Sequence, residues 1–371
     1  MKIGILTFHC AHNYGAVLQC YALQETLKSL GHEVEVIDYR PEYLVTPYRV
    51  FSKSRFLSRN PLKMLKACIR ESLLLPKRIK RYRAFQSFIN NNLNLSQPVV
   101  ANKIPSKYDV YIMGSDQIWN PKITKGFDPV YFGYFDFGKG NKTYISYAAS
   151  MTARQLDSDS ERYLKRALMN FNAISVREIQ LKTLLQPLTE KEVVPVLDPT
   201  LLADKNIWDK MAQIPNCDKK YVLVYQIRRD ANVIRIAQDI AKSMGAEVVE
   251  ITAFPTLIFS NKNEQCLSPV EFLGWIKNAQ FVVTSSFHGT VFSILFSRPF
   301  FCVKLDNVSD TRSISLLKNL KLEDRFIEKD EGNLKLSPID YTEPNRLLLY
   351  LQTKSRTFLK NALDNAMPVL N

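Results

Sequence analysis

The chain has 371 residues, of which 46% are hydrophobic, and a formal net charge of +14 at pH 7. This length exceeds what a single core usually holds, and the apolar content excludes a disordered chain, so we expect two globular domains. The six cysteines form no C-x-x-C pair and there are four histidines, which argues against a disulfide framework and a zinc ribbon. We therefore expect no metal. The first apolar run ends at Phe8, too short for a signal peptide, so we expect a cytoplasmic protein.

Short apolar runs alternate with helical patterns through the first half of the chain. In chain order the patterns predict a strand at 2–8, a helix at 15–30, strands at 34–39, 108–114 and 144–149, a helix at 158–170, and strands at 173–176 and 193–197. This βαβ alternation is typical of a parallel, doubly wound sheet. We predict a Rossmann-like N-terminal domain over residues 1–203, with an insertion at 41–107.

The insertion is basic and amphipathic. Residues 49–83 hold twelve Lys or Arg against one acid, Glu71. Apolar residues alternate with the bases, which predicts one or two surface helices able to lie on an anionic membrane. Two other interpretations stay open: a helix whose apolar face packs on its own domain, and a nucleic-acid-binding face, for which no recognition motif is present.

The second half repeats the alternation after a break at Asp198-Pro199. Its patterns predict strands at 221–226, 247–252, 281–284 and 300–303, helices at 231–244, 269–278 and 289–296, and a last helix at 344–363. We predict a second Rossmann-like domain at 204–343 and a C-terminal segment, 344–371, that packs back. Two such domains would face each other across a cleft, and in open α/β sheets ligands bind beyond the carboxyl ends of strands.

Two turns of the first domain carry groups that suit a sugar. In the first, Gly15 opens a helix and exposes its N-terminal amides, and Asn13 and Tyr14 stand beside it. A plain helix cap by Asn13 would also explain this turn, which lacks the G-x-G-x-x-G pattern of dinucleotide sites.

The second turn follows the strand at 108–114. Asp116, Gln117 and Trp119 combine a carboxylate, an amide and an indole, as in carbohydrate sites where a ring stacks on the sugar. A helix cap by Asp116 is the alternative.

Two further turns carry groups that suit an anion and proton transfer. Arg177 ends a strand, where its planar fork can grip a carboxylate or phosphate; an ion pair with Glu178 is the alternative. His288 stands in the turn Ser286-Phe287-His288-Gly289 at the start of a helix. Histidine as a residue type titrates near neutral pH and suits proton transfer, although a His at such a place can simply cap or fill the core.

Five motifs stand in order along the chain: N-Y-G-A-V-L-Q at 13–19, G-S-D-Q-I-W-N-P at 114–121, S-V-R-E at 175–178, D-P-T-L-L at 198–202 and S-F-H-G-T at 286–290. Over roughly residues 1–325 this ordered set resembles the polysaccharide pyruvyl transferase family. The resemblance implies a fold like the GT-B glycosyltransferases, phosphoenolpyruvate as co-substrate with no other cofactor, and a sugar acceptor. The product would be a pyruvate ketal on two hydroxyls of a surface polysaccharide, such as a capsule or exopolysaccharide.

The resemblance also implies roles for individual residues. His288 would be the general acid and Arg177 would bind the donor, with Ser286, Phe287 and Gly289 around it. Some relatives carry a basic residue where this chain has Ser286, and some carry a Lys after the following strand, for which Lys304 and Arg312 are the nearest substitutes. From its chemistry we expect Asp116 to act as base. Asn13, Tyr14, Gly15, Gln117 and Trp119 would contact the acceptor, so that the N-terminal domain is the acceptor side and the C-terminal domain the donor side.

If the acceptor is lipid-linked, we expect residues 49–83 to bind the enzyme to the inner face of the plasma membrane, where such an acceptor is found. Two other functions remain open: a sugar-nucleotide glycosyltransferase of the same fold, and a carbohydrate-binding protein without catalysis.

Overall fold

The strands form two parallel sheets, one in each half of the chain. The computed structural model describes residues 1–51, 61–135, 142–257, 262–305, 310–329, 334 and 336–366. Its strands are β1 (Lys2–Leu6), β2 (Glu33–Val36), β3 (Val110–Asp116), β4 (Thr143–Ala149), β5 (Ala173–Val176), β6 (Val193–Pro195), β7 (Tyr221–Gln226), β8 (Glu247–Thr252), β9 (Lys262–Glu264), β10 (Phe281–Thr284), β11 (Phe300–Val303) and β12 (Phe326–Ile327).

The helices cover the faces of these sheets and connect their strands. They are α1 (Tyr14–Ser29), α2 (Glu42–Val45), α3 (Pro61–Asn92), α4 (Pro121–Thr124), α5 (Ser158–Ala167), α6 (Ile179–Leu185), α7 (Pro199–Leu202), α8 (Lys205–Met211), α9 (Ala231–Met244), α10 (Pro269–Lys277), α11 (Phe287–Leu295), α12 (Asp310–Asn319) and α13 (Thr342–Asp364).

Both sheets are doubly wound. In the described residues the first sheet has the order β2-β1-β3-β4-β5-β6 and the second has the order β12-β11-β10-β7-β8-β9, with parallel neighbours throughout. The strand order reverses between β1 and β3 in the first sheet, and between β7 and β10 in the second. Each reversal opens a crevice at the carboxyl ends of two strands. The predicted fold class, two Rossmann-like domains, is confirmed.

A continuous hydrophobic core joins the two domains. Ile3 and Ile5 of β1 and Leu223 of β7 belong to the same cluster of buried residues. At the contact between the domains, the rings of Tyr14 and Phe272 stack with centroids 4.3 Å apart and planes within 3°. Burial of this apolar area holds the two sheets in a defined relation.

The last helix, α13, packs back across the junction of the domains. Ser355 Oγ accepts a hydrogen bond from Leu197 N at 2.9 Å, and Gln352 Nε2 donates to Leu201 O at 2.7 Å. These contacts fix α13 against the segment that leads from the first domain into the second.

The basic insertion forms one long helix, α3, with two different halves. Its second half is anchored, since Phe85, Phe88 and Ile89 are buried. Its first half exposes an apolar stripe of Leu62, Leu65, Ile69 and Leu73, whose side chains are 53–69% exposed. Part of the predicted basic window, residues 52–60, lies outside the described residues. None of the helices in the described ranges is both long and apolar enough to cross a bilayer.

Candidate active site

The crevices of the two sheets meet at one place between the domains. The turn after β1 leads into α1, and the turn after β10 leads into α11. Gly15 of α1 lies against the imidazole of His288: a Cβ built on Gly15 would come within 2.0 Å of His288 Nδ1. Gly15 is therefore required because any side chain there would occupy the space of the ring.

His288 lies in the first turn of α11. Ser286 caps this helix by accepting a hydrogen bond from Gly289 N. His288 is 8% exposed, and its Nε2 lies 3.6 Å from Asp198 Oδ2. That separation is too long for a hydrogen bond, and Nε2 is buried with no hydrogen-bond partner among the described residues.

Arg177 lies among three carboxylates at the end of β5. Its Nη1 donates to Asp198 Oδ2 at 2.8 Å, and its Nε donates to Glu178 Oε1 at 3.0 Å. Its Nη2 lies 3.9 Å from Asp116 Oδ1. Burial works to lower the pKa of Arg177, but the carboxylates outweigh it and raise that pKa above its ordinary value. The ion pair with Glu178 is thus present, and the guanidinium stays charged.

A second arginine joins the site through the ring of Phe287. The guanidinium carbons of Arg177 and Arg312 lie 5.0 Å and 5.7 Å from the centre of this ring. Burial, followed by the charge of Arg177, lowers the pKa of Arg312. Glu178, Asp116 and Asp198 act in the opposite direction on this pKa but do not outweigh the first two effects. A further anion near Arg312 would therefore favour its charged form.

A cavity of about 270 Å³ lies beside these groups. Arg177, Asp198, Phe287, Arg312 and Lys354 are among its lining residues, so both domains and α13 contribute to it. This volume suits a small molecule, and the basic lining residues favour one that bears an anionic group.

Unsatisfied polar atoms mark the same place. Arg177 Nη2, Arg312 Nε and His288 Nε2 are buried without a hydrogen-bond partner among the described residues. Glu178 Oε2 is likewise unpartnered within that part of the chain. Buried polar groups are nearly always paired, so the unpaired nitrogen atoms of Arg177, Arg312 and His288 indicate a site that is completed by a ligand.

Asp198 is the residue of this cluster that the sequence did not single out as a site candidate. Its Oδ1 accepts from the backbone and hydroxyl of Thr200, and its Oδ2 accepts from Arg177. Burial works to raise the pKa of Asp198, but His288, Arg177 and Thr200 together hold that pKa well below its usual range. The carboxylate therefore stays ionised beside His288. The available signal was a carboxylate three residues after the last strand of the first sheet.

Asp116 ends β3 at the edge of this cluster. Its backbone is in the left-handed region, with φ 75°, a conformation that is costly for a non-glycine residue and common at functional sites. Its Oδ1 accepts from Gln117 N at 2.8 Å. The next helix, α4, is capped by Asn120, so the alternative role of Asp116 as a helix cap is wrong.

The first turn does not offer all of its predicted residues to a ligand. Asn13 caps α1, since its Oδ1 accepts from Gly15 N at 3.0 Å. Tyr14 is completely buried, and its hydroxyl donates to Leu267 O and accepts from Arg81. The prediction that Tyr14 contacts the acceptor is therefore wrong, because its ring and hydroxyl are used between the domains.

The prediction that Trp119 contacts the acceptor is also wrong. It is completely buried, its Nε1 donates to Tyr131 O at 2.9 Å, and its ring stacks on Phe132. A buried indole cannot stack on a sugar. Gln117 is partly exposed, and its Oε1 accepts from Asn120 and Thr152, so it remains a candidate for the acceptor.

The structure separates the two basic candidates after β10. Arg312 lines the cavity, whereas Lys304 forms an ion pair with Glu328 at 2.8 Å and is not among the cavity's lining residues. The room left by Gly289 is taken by Thr284 Oγ1, which would lie 2.2 Å from a Cβ. These observations favour Arg312 over Lys304 as the donor contact, and the donor contact of Gly289 stays a prediction.

Comparisons with known proteins agree with the motif order. A family model described as polysaccharide pyruvyl transferase matches residues 13–307. Curated proteins give no match to the chain.

Solved structures give broad but distant likenesses. The co-structure of S. aureus MnaA with UDP has a TM-score of 0.46 and 13% identity, covering 95% of this chain and 90% of that chain. The UDP-GlcNAc 2-epimerase of Methanocaldococcus jannaschii has a TM-score of 0.44 and 10% identity, with 95% and 100% covered. Arabidopsis thaliana UGT89C1 has a TM-score of 0.45 and 10% identity, with 98% of each chain covered.

Proposed function

The chain belongs to the polysaccharide pyruvyl transferase family, and on this premise we propose that it transfers the pyruvyl group of phosphoenolpyruvate to two hydroxyls of a sugar. The observation that carries the proposal is a set of buried, unpartnered nitrogen atoms. Arg177 Nη2 and Arg312 Nε belong to residues that line the cavity, and His288 Nε2 lies 3.6 Å from Oδ2 of Asp198, which also lines it. Phosphoenolpyruvate has a carboxylate and a phosphate, the two groups that arginine binds best.

The reaction needs a proton at the methylene carbon of the donor. His288 donates this proton, which leaves positive charge at the carbon that carries the phosphate. One sugar hydroxyl adds to that carbon, phosphate leaves, and the second hydroxyl adds to close the ketal. The two hydroxyl protons balance the new methyl hydrogen and the proton on the released phosphate.

Asp198 and Asp116 assist two different steps of this reaction, the proton donation and the attack of the hydroxyl. The ionised Asp198, 3.6 Å from His288 Nε2, stabilises the protonated ring before the transfer. Asp116, next to Arg177, takes the proton of an attacking hydroxyl. An acid and a base placed in this way each contribute about 10²–10⁴-fold to the rate.

The proposal is tested by measuring phosphate release from phosphoenolpyruvate with candidate glycans, without any nucleotide. Release that depends on the glycan, together with a pyruvate mass increment on it, supports the assignment. A requirement for a sugar nucleotide would replace it with glycosyl transfer, and sugar binding without turnover would replace it with a binding function.

His288→Gln is the most direct variant, since the amide of glutamine has a reach comparable to that of the imidazole but cannot act as a general acid at neutral pH. Turnover should fall at least about 100-fold while phosphoenolpyruvate still binds and the protein still folds. Near-normal turnover would remove His288 from the acid role.

We also propose that the first half of α3 docks the enzyme on the anionic inner leaflet of the plasma membrane, where a lipid-linked acceptor would be found. The stripe of Leu62, Leu65, Ile69 and Leu73 is exposed, and the residues around it are basic. Apolar insertion and attraction of about 1 kcal/mol per basic residue give reversible binding.

Sedimentation with anionic liposomes tests the docking. The double variant Leu65→Asp with Ile69→Asp should remain in the supernatant. Ile214→Asp, at a side chain that is 78% exposed outside α3, is the matched control and should sediment like the unaltered protein. Equal sedimentation of all three proteins would exclude docking through α3.

A further inference from the structure

A second cavity lies between α3 and the loop that follows β8. Its volume is about 240 Å³, and it is separate from the cavity lined by Arg177. Its charged lining consists of Arg49, Arg70, Arg78 and Arg81, and the described lining residues include no carboxylate. We call this space the arginine cavity.

Arg81 is the strongest evidence that the arginine cavity receives an anion. It is 5% exposed, yet its guanidinium donates only to neutral groups: the Tyr14 hydroxyl, His12 O and Gln265 O. In the described part of the chain no carboxylate forms an ion pair with it. A buried charge without a counter-ion is costly, so an anionic ligand would stabilise this arrangement.

Arg78 offers a free donor to the same space. Its Nη2 donates to Glu71 Oε1 at 2.9 Å, whereas its Nε is buried and has no partner among the described residues. Arg70 precedes it by about two helical turns and is exposed. Arg70, Arg78 and Arg81 thus present three guanidiniums along one side of α3, as phosphate and diphosphate sites require.

Aromatic rings form the rest of the wall. Tyr48 stacks on Phe254, with ring centroids 5.8 Å apart and an interplanar angle of 12°, and His12 contacts Tyr48 and Tyr82. Burial, followed by the charge of Arg81, lowers the pKa of His12 to about 4, so His12 is neutral at physiological pH. A wall of this kind suits a sugar ring that is carried on a phosphate.

The arginine cavity is linked to the proposed active site through the first residues of α1. Arg81 binds the hydroxyl of Tyr14, and the next residue, Gly15, packs on His288. Asp116 is close enough to contribute to the raised pKa of Tyr48, which burial brings to about 12. The charge of Asp116 therefore reaches the wall of the arginine cavity.

We propose that the arginine cavity binds the phosphate or diphosphate ester through which the acceptor sugar is carried. The sugar ring then lies against Tyr48 and Phe254, with its hydroxyls toward Asp116. That this sugar is the acceptor rests on the proposed function, but binding of the ester does not, so the two ideas can fail separately.

Binding of inorganic pyrophosphate, measured by calorimetry without phosphoenolpyruvate, tests the proposal. Arg78→Gln and Arg70→Gln should each weaken binding about tenfold or more, because each removes a charged donor. Arg83→Gln, an exposed residue of α3 outside the cavity lining, is the matched control and should bind as the unaltered protein does. Arg78→Lys should restore part of the affinity.

The proposal is overturned if pyrophosphate does not bind to the unaltered protein, or if Arg70→Gln and Arg83→Gln bind it with equal affinity. Arg312→Gln guards against binding in the other cavity, because it should weaken phosphoenolpyruvate but not pyrophosphate. Loss of pyrophosphate affinity in Arg312→Gln alone would assign the anion to the donor cavity and also overturn the proposal. None of these readouts depends on turnover.

Two further probes distinguish the source of the ester. Farnesyl diphosphate in neutral phosphatidylcholine vesicles represents a lipid carrier, and UDP represents a nucleotide carrier. The probe that binds at least tenfold more tightly than pyrophosphate, and loses this affinity in Arg78→Gln, identifies the source. Failure of both to compete with pyrophosphate would contradict the proposal.

Discussion

Gly15 allows a direct test of the contact between the two domains. Its replacement by alanine would put a Cβ 2.0 Å from His288 Nδ1, 2.4 Å from Cε1 and 2.5 Å from Cγ. Ordinary contact begins near 3.4 Å, so the ring must retreat by about 1.4 Å. A displacement of about 1 Å at a reacting group costs on the order of 100-fold in rate, and overpacking costs about 1–3 kcal/mol of stability.

We therefore expect Gly15→Ala to fold but to lose at least about 100-fold in turnover with phosphoenolpyruvate. The assay is phosphate release per folded molecule, with the free energy of unfolding measured in parallel. Gly31→Ala is the contrasting variant: its Cβ would meet nothing within 4 Å, but its φ of +86° makes alanine strained. It should lose about 1 kcal/mol of stability and keep its turnover.

Turnover of Gly15→Ala within a few fold of the unaltered enzyme would refute this reasoning. It would mean either that His288 takes no part in the chemistry or that the ring can move without consequence.

Three further predictions follow from the same geometry. Asp198→Asn should lower the free energy of unfolding by about 3 kcal/mol near pH 7, because the buried guanidinium of Arg177 would lose one of its carboxylate partners. The pKa of Asp198 is lowered in the folded state, so this difference should be constant above about pH 5 and shrink as pH falls through the folded-state pKa in denaturation curves. Trp119→Phe should cost about 1–2 kcal/mol through the lost hydrogen bond to Tyr131, and steady-state kinetics should show an unchanged acceptor KM. Arg312→Gln should raise the Kd for phosphoenolpyruvate at least about tenfold in direct titration, whereas Lys304→Gln should leave it within about twofold; the opposite pattern would restore Lys304 as the donor contact.

Much of the fold could be predicted because parallel strands are continuous apolar runs. β7 and β10 were located to the residue, and α9 was too. Two strands are absent from the prediction, and both are short: β9 has three residues, Lys262–Glu264, and β12 has two, Phe326–Ile327. Strands of this length exist because the neighbouring strand offers a hydrogen-bonding edge, which a local pattern does not reveal.

The positions of the candidate site could be predicted better than the roles of its residues. Turns at the ends of strands are the right places to inspect, and Arg177, His288 and Arg312 come together there. The direction of each side chain was not available from the sequence, so Tyr14 and Trp119 were assigned to a ligand although both are buried. Polar aromatic residues serve equally well in cores and at sugar sites.

The arginine cavity shows a different limit. Arg81 and Gln265 are 184 residues apart in sequence, yet they are joined by a hydrogen bond. In the sequence, residues 49–83 are a basic amphipathic segment, and only the fold shows that one part of it is exposed while another part lies buried between domains. The single segment therefore supports two distinct proposals, one for its exposed apolar stripe and one for its arginines that line a cavity.

Asp198 links the chemistry to the relative position of the domains. It lies in the segment that connects the two sheets, it accepts from Arg177 of the first domain, and it is 3.6 Å from His288 of the second. A shift of one domain against the other must change the distance between the Asp198 carboxylate and the His288 ring. Gly15 of the first domain also contacts this ring. The position of the His288 ring therefore depends on both domains and on the segment that connects them.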